Sequence, residues 1–485
     1  MPLLDPTLWS GKAHIGGWTA MAGGTAPVVE PATGEVLDVI GVATAEDVSA
    51  AAERAARAQT AWARTPYTER AAVLRRAGDL FTRHAEEIQQ WLVREAGSIP
   101  GKAAFETGTA AQECYEAAGL VSRPLGEVLP SAEPRLSLAR RVPAGVVGVI
   151  APFNVPLVLA IRSVAPALAL GNAVLLKPDL RTAVSGGVAL MRVFEEAGLP
   201  ADVLHLLPGG ADTGAALVAA PQVRVISFTG STAAGRRVGA TAAEHLKRAH
   251  LELGGNSALI VLPDADLDRA VSTAAWGSFF HQGQVCMSTG RHLVHASIAD
   301  EYVERLAEKA DHLPVGNPAK EEVALGPIID AGQRDKIHQL VRSSVDGGAR
   351  VLAGGTYQDL FYRPTVLTGL TDASPAYAEE VFGPVAPVRA FSDLDEAVAL
   401  ATATPYGLSL GILTGDVLRG LDLAERIPTG LVHINDQTVN DEAVAPFGGV
   451  AASGTGARFG GAANIEAFTE TRWITARSTQ AAYPF

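Results

Sequence analysis

A thiol, a carboxylic acid, a carboxamide and an amine stand in segments that could present them at a cleft. Cys286 lies in HQGQVCMSTG, a glycine-bearing stretch between a helix and a strand. Most cysteines are small inert core groups. At an ordinary pKa near ~8.5 a thiol is mostly protonated at neutral pH, so nucleophilic work requires a helix terminus, a cation or a base beside it. Glu252, in LELGGNS, is an acid among apolar residues. Buried there, it must be protonated, hydrogen-bonded or turned toward a water-filled channel. A raised pKa would suit a general base, and pairing with a backbone donor accounts for it equally well. Asn154, in the turn PFN, offers amide donors of the kind that stabilise an oxyanion, although asparagine is also an ordinary turn former.

Lys177 closes the apolar run AVLLK just before Pro178. That places its ammonium at the carboxyl edge of a sheet, where open α/β folds bind ligands; a solvated lysine at a strand end is the plainer alternative. In LLPGGADTGAAL a strand runs into Gly209 and Gly210, and Gly214 opens the next helix, so a nucleotide could approach the backbone closely. In FTGSTAAGRRVG, Gly230, Ser231 and Gly235 stand where a strand meets a helix N-terminus, an anion-attracting position. The Gly230 to Gly235 interval is that of a phosphate-cradling Walker loop, but Arg236 and Arg237 occupy the places of its Lys and Ser/Thr. A nucleotide triphosphatase is disfavoured; a dinucleotide pyrophosphate and plain helix capping both remain.

The elements that must hold these groups are legible from periodicity. Two helical stretches open at Thr44 and Thr68, each with a capping residue. In the second, Leu74, Phe81, Ile88, Trp91 and Leu92 recur at helical spacing up to Gly97, a C-terminal cap. From residue 144 short β-branched runs (GVVGVI, AVLLK, DVLHLL, VRVISF, SALIVL) alternate with helices, predicting a parallel sheet covered on both faces. A second alternating series follows, with strands near 292, 350, 388 and 410. Residues 142–161 carry no charge, which on length alone raises a membrane span. Pro143, Pro152 and Pro156 would break it, leaving strand, turn and buried helix.

Composition bounds the rest. At 485 residues the chain holds two or three domains. Lys plus Arg number 39 against 52 Asp plus Glu, a net charge of −13 that repels nucleic acid and anionic membrane surfaces. Two cysteines provide no disulfide framework and fit a reducing compartment. MPLLDPTLWSGK does not read as a signal peptide. The cytoplasm is the expected location.

Taken together and in order, PFNVP, GNAVLLKP, FTGST, LELGG, GQVC, EEVFGPV and PFGG resemble the NAD(P)-dependent aldehyde dehydrogenase superfamily over essentially the whole chain. The segments LPSAEPRLSLARR, KPDLRT, HQGQVCM and HINDQTVNDE are most similar to the branch holding benzaldehyde and vanillin dehydrogenases. The resemblance implies an α/β fold: a Rossmann-like parallel-sheet cofactor domain (1–120 and 143–254), an α/β catalytic domain (255–445) and a small β oligomerisation arm (121–142 and 465–485). It implies Cys286 as nucleophile, Glu252 as the base for hydrolytic water, and Asn154 with the Cys286 backbone N–H as oxyanion hole. Lys177 would meet the adenosine ribose, Gly230 and Ser231 the pyrophosphate, Glu380 and Phe382 the nicotinamide ribose and ring. Further cofactor contacts fall on Ala151, Pro152, Phe153, Asp179, Arg181, Gly210, Gly214, Phe228, Leu253 and Gly254. No metal is implied.

The cofactor is NAD or NADP. Many NAD-preferring relatives carry an acid three residues after the lysine, where Leu180 stands here; Arg181 could pair with a 2′-phosphate if turned inward. An uncharged aromatic aldehyde predicts no ion-pairing residue in the substrate tunnel, with Val285, Met287, Trp276, Phe279 and Phe280 as candidates for its wall. A homodimer or homotetramer is expected, strands at RLSLARRV and TRWITARS pairing with a neighbouring subunit. A CoA-acylating enzyme is disfavoured by Glu252, which thiolysis does not need. A cysteine hydrolase would need no cofactor, and a turnover-free binding protein would have no reason to keep Cys286, Glu252 and Asn154 together.

Overall fold

The computed structural model describes residues 2–485. Five parallel strands, Val146–Ile150, Ala173–Lys177, Leu204–Leu206, Val223–Thr229 and Arg248–Glu252, form the centre of a seven-stranded sheet. Two short antiparallel strands, Ala13–His14 and Trp18–Thr19, extend its edge beyond Leu204–Leu206. The sheet order reverses between the first and fourth of the five, Val146–Ile150 lying between Ala173–Lys177 and Val223–Thr229. That reversal opens a crevice beyond the carboxyl ends of those two strands.

Their sequences are continuous apolar runs because both faces are covered. Val147, Val149, Val174 and Leu176 pack into one cluster, while Val146, Ala173 and Leu175 pack into another on the opposite face, following the two-residue period of a strand. Each such side chain removed from water contributes about 1.5–3 kcal/mol. The charge-free run becomes the strand Val146–Ile150, an irregular turn and the wholly buried helix Pro156–Ala169, which packs against the helix Pro100–Leu120. Among the described residues no helix is long and apolar enough to cross a membrane.

The first of these helices has the capping residue expected at Thr44, whose hydroxyl accepts from the Asp47 N–H, and the Asp47 side chain completes a capping box. The second expectation needs correction. Its helix begins at Tyr67, after Pro66 and without a side-chain cap, and divides at His84 into Tyr67–Arg83 and Ala85–Ala96. Gly97, in the left-handed region at φ 65°, does close it.

Glu252 ends the last strand of the first sheet and Ser257 begins the second sheet, also seven-stranded, in which only Arg350–Ala353 runs antiparallel to its neighbour. Its cores cover both faces. A separate antiparallel sheet joins Thr469–Ala476, Leu136–Pro143 and Gly126–Val128.

Candidate active site

The turn after Val146–Ile150 carries Ala151 to Asn154, and the turn after Val223–Thr229 carries Gly230 and Ser231, so the strand reversal places both at one crevice. A cavity of about 320 Å³ lies there, walled by Ala151, Pro152, Phe153, Lys177, Asp179, Arg181, Phe228, Gly230, Ser231, Leu253, Gly254, Glu380 and Phe382. An adjoining groove continues past Lys177, Asp179 and Arg181 to Gly210 and Gly214. All fifteen cofactor candidates line one or both. Thr229, Gln333 and Lys336 also line the first, and Arg237 the second; nothing in their local sequence distinguishes them.

The residues present fit a dinucleotide. Ser231 caps the helix Thr232–Glu244, its Oγ accepting from the Ala234 N–H, and leaves the helix N-terminus beside the cleft for an anion. Phe153 and Phe382 meet edge to face with ring centroids 5.9 Å apart, offering flat walls. Glu380 accepts the Gly255 N–H at 3.0 Å, and burial pushes its carboxyl up to about 7. A Cβ on Gly254 would stand 2.2 Å from Glu380 Oε2, so a larger residue there would push the carboxylate aside. Lys177 is buried rather than solvated, burial lowering its ammonium pKa against the opposing pull of Asp179.

Arg181 does not lie free for a 2′-phosphate. Its guanidinium bonds Asp179 through Nε (2.9 Å) and Nη2 (2.8 Å), reaches Asp330 through Nη1 (2.6 Å), and stacks 4.2 Å over Phe153.

A second cavity of about 300 Å³ abuts the first, and Cys286, Asn154 and Leu159 line both. Cys286 follows the helix Leu267–Phe279 and a strained turn in which His281 (φ 49°) and Gln282 (φ 56°) are both left-handed. The turn is pinned by the Gln282 amide, which donates to the carbonyls of Gly97 (3.1 Å) and Pro327 (2.9 Å). Asn154 Nδ2 donates to the Gln284 carbonyl at 2.8 Å, which sets the carboxamide beside the cysteine loop. Burial first, then the charges of Glu380 and Glu252, pushes the Cys286 thiol up to about 12. The resting group is a thiol, not a thiolate.

Glu252 lines neither cavity. Its Oε2 accepts the Gly449 N–H at 3.2 Å while Oε1 has no partner, and burial raises its pKa to about 8. Burial thus favours the protonated carboxyl at neutral pH.

The second cavity has aromatic and aliphatic walls: Val285, Met287, Phe105, Phe447, and the stacked rings of Trp276 and Phe280, 4.5 Å apart. Phe279 faces the core instead. Contrary to the expectation of no ion-pairing side chain, Arg162 and Asp441 form a salt bridge in this wall, and Lys102, paired with Glu106, also lines it. The Arg162 guanidinium lies 4.4 Å over Phe447. A single arginine in the apolar helix PLVLAIRSVAPALA was a signal for it, since an unpaired buried charge is too costly to keep.

A thiol and a carboxamide thus stand at the shared wall between the first cleft and the tunnel. Residues 18–474 match the aldehyde dehydrogenase family, and the chain belongs to that family. It is 72% identical over its full length to a vanillin dehydrogenase from Amycolatopsis sp. that it covers completely. Identity is 52% to a benzaldehyde dehydrogenase [NAD(+)] from Pseudomonas putida, 99% of each chain being covered. The crystal structure of a salicylaldehyde dehydrogenase from Pseudomonas putida G7 complexed with salicylaldehyde superposes with a TM-score of 0.94 at 36% identity, over 98% of this chain and 99% of that one.

Proposed function

We propose that the protein oxidises an aromatic aldehyde of the benzaldehyde or vanillin type to its carboxylic acid, with NAD+ as the preferred oxidant. The observation that carries this reading is that Cys286 and Asn154 line both an aromatic-walled tunnel and a dinucleotide-shaped cleft. The names of the relatives that match the whole chain support the substrate class.

In this reading Cys286, once deprotonated, adds to the aldehyde carbonyl entering from the tunnel. The Asn154 amide and the Cys286 backbone N–H receive the oxyanion, a contribution of about 3–4 kcal/mol per donor in comparable sites. A nicotinamide dinucleotide held in the cleft would supply the hydride acceptor for the Cys286 adduct. The product of that step is a thioester on Cys286. Glu252 turns from Gly449, takes a proton from water, and the resulting hydroxide attacks the thioester. The C–S bond breaks, the acid leaves, and the thiol is regenerated. Phe153, Phe382, Glu380 and Gly254 hold the nicotinamide end; Lys177, Asp179, Gly210, Gly214 and Phe228 the adenosine end.

The three-stranded sheet exposes Val128 and Trp473, apolar groups suited to burial against a second copy. A homodimer or homotetramer follows, with the division into cofactor (1–120 and 143–254), catalytic (255–445) and arm (121–142 and 465–485) domains. Two free cysteines fit a cytoplasmic setting.

Absorbance at the reduced-nicotinamide band, over an aldehyde panel with each cofactor, tests the proposal. Benzaldehyde-type substrates are expected to exceed short aliphatic aldehydes in kcat/KM. Slow aromatic and fast aliphatic turnover would overturn the substrate class, and acid formed without NAD(P)+ would overturn the chemistry.

A further inference from the structure

A buried ion pair stands beside Asn154, its Lys102 in the wall of the same tunnel, and is used by no step above. Lys102 and Glu106 lie one helical turn apart on Pro100–Leu120, both essentially inaccessible, with Nζ 2.6 Å from Oε1. The Lys102 ammonium pairs with the Glu106 carboxylate and donates to Ser98 Oγ at 3.0 Å and to the main-chain carbonyl of Asn154 at 2.6 Å. Glu106 Oε2 accepts the N–H of Leu157 at 3.1 Å. Leu157 lies in the first turn of the helix Pro156–Ala169, whose N-cap, Val155, has no side chain able to cap. Glu106 therefore serves as the missing anionic cap.

The two charges thus grip the two ends of one short link. Lys102 holds its start at the Asn154 carbonyl, and Glu106 holds its end at the first helical turn. Between the strand Val146–Ile150 and this helix there is no regular structure to fix the angle of residue 154. A buried ion pair costs several kcal/mol of desolvation per ion and is often replaceable by apolar side chains without loss of stability, so bulk stability is a poor reason for this one.

We propose that Lys102 and Glu106 are positioning residues for the oxyanion hole: their clamp on the Asn154–Leu157 link aims the Asn154 carboxamide at the Cys286 loop. The proposal rests on Asn154 being the oxyanion donor, and its test separates the two.

The decisive variant is Lys102→Met with Glu106→Met, which removes the pair without stranding a charge. Three readouts apply to the intact enzyme: melting temperature, single-turnover hydride transfer with benzaldehyde and NAD+, and cofactor-free acylation by 4-nitrophenyl acetate. In the last, the thiolate adds to the ester carbonyl and 4-nitrophenolate departs, so the same oxyanion must be held. Both acylation rates are expected to fall about 10- to 100-fold, the scale of a displaced catalytic group, with KM for NAD+ within about twofold. In an Asn154→Ala background the same pair of changes should slow acylation less than about threefold, because the group being aimed is gone. A folded double-Met enzyme acylating at the parental rate, or an undiminished effect in the Asn154→Ala background, would overturn the clamp. Asn154→Ala acylating normally would instead remove the underlying assignment, and the clamp with it. Should the double-Met protein fail to fold, Glu106→Gln, which retains an acceptor for Leu157 but loses the charge, is read by the same rates and the same double-mutant comparison.

Discussion

The side-chain amide of Asn154 donates to the main-chain carbonyl of Gln284 at 2.8 Å, two residues before Cys286. One N–H of the carboxamide is thereby fixed, and its rotation is set before any substrate enters. Asn154→Ala is expected to lower the single-turnover rate of hydride transfer by about 10²–10³-fold, leaving the affinity for NAD+ nearly unchanged. Retention of the parental rate would take Asn154 out of the oxyanion hole.

The Glu252 carboxyl, raised to about 8 by burial, has a base's competence only when ionised. Its ionised fraction grows with pH and reaches half near 8, so the rate of thioester hydrolysis should climb about tenfold per pH unit below 8 and level off above it. Rapid-quench measurement of deacylation across pH 6–10 tests this on the parent. In Glu252→Gln the limb should vanish together with most of the deacylation, while one equivalent of cofactor per active site is still reduced. A limb centred near the ordinary glutamate value would show that the resting burial does not govern the working base.

Cofactor preference turns on Arg181. Its guanidinium is already neutralised by Asp179 and Asp330 and seated on Phe153, so a 2′-phosphate would meet the Asp179 carboxylate without a free cation from this residue. We expect kcat/KM to favour NAD+ over NADP+ by about tenfold or more, a modest like-charge penalty. Near-equal values, or a preference for NADP+, would show that Arg181 leaves its carboxylates on binding.

Arg162 and Asp441 are paired inside the tunnel wall, with Glu113 close enough for its carboxyl, raised to about 7 by burial, to be drawn down by the same guanidinium. Arg162→Met strands two buried acids. It should destabilise the fold by about 3–5 kcal/mol, visible as a lower melting temperature that partly recovers toward acid pH. The sign follows from the acids, which without Arg162 are tolerated in their neutral form and penalised as pH rises through their elevated pKa values. A melting temperature unchanged at pH 8 would contradict the pairing.

The parallel sheets could be read from the sequence because strands buried on both faces are written as unbroken apolar runs, as in VVGVI and AVLLK. Turn chemistry likewise marked Gly97 and the 151–154 turn. What could not be read depended on contacts distant along the chain. Nothing local says that Lys102 reaches Asn154, that Asp330 comes to Arg181, or that Gly449 holds Glu252. The break at His84 was hidden because the apolar period continues across it. Arg162 was missed, although a lone charge in an apolar helix is the kind of signal that calls for a buried partner.

In the proposed mechanism the sulfur of Cys286 carries the acyl group between the two half-reactions. Peptide mapping by mass spectrometry of Glu252→Gln, acid-quenched after mixing with benzaldehyde and NAD+, tests it most directly. A benzoyl group is expected on the Cys286 peptide, formed only when aldehyde and NAD+ are both present. Cofactor reduction with Cys286 unmodified throughout, or an acyl group found on Cys114 instead, would contradict it.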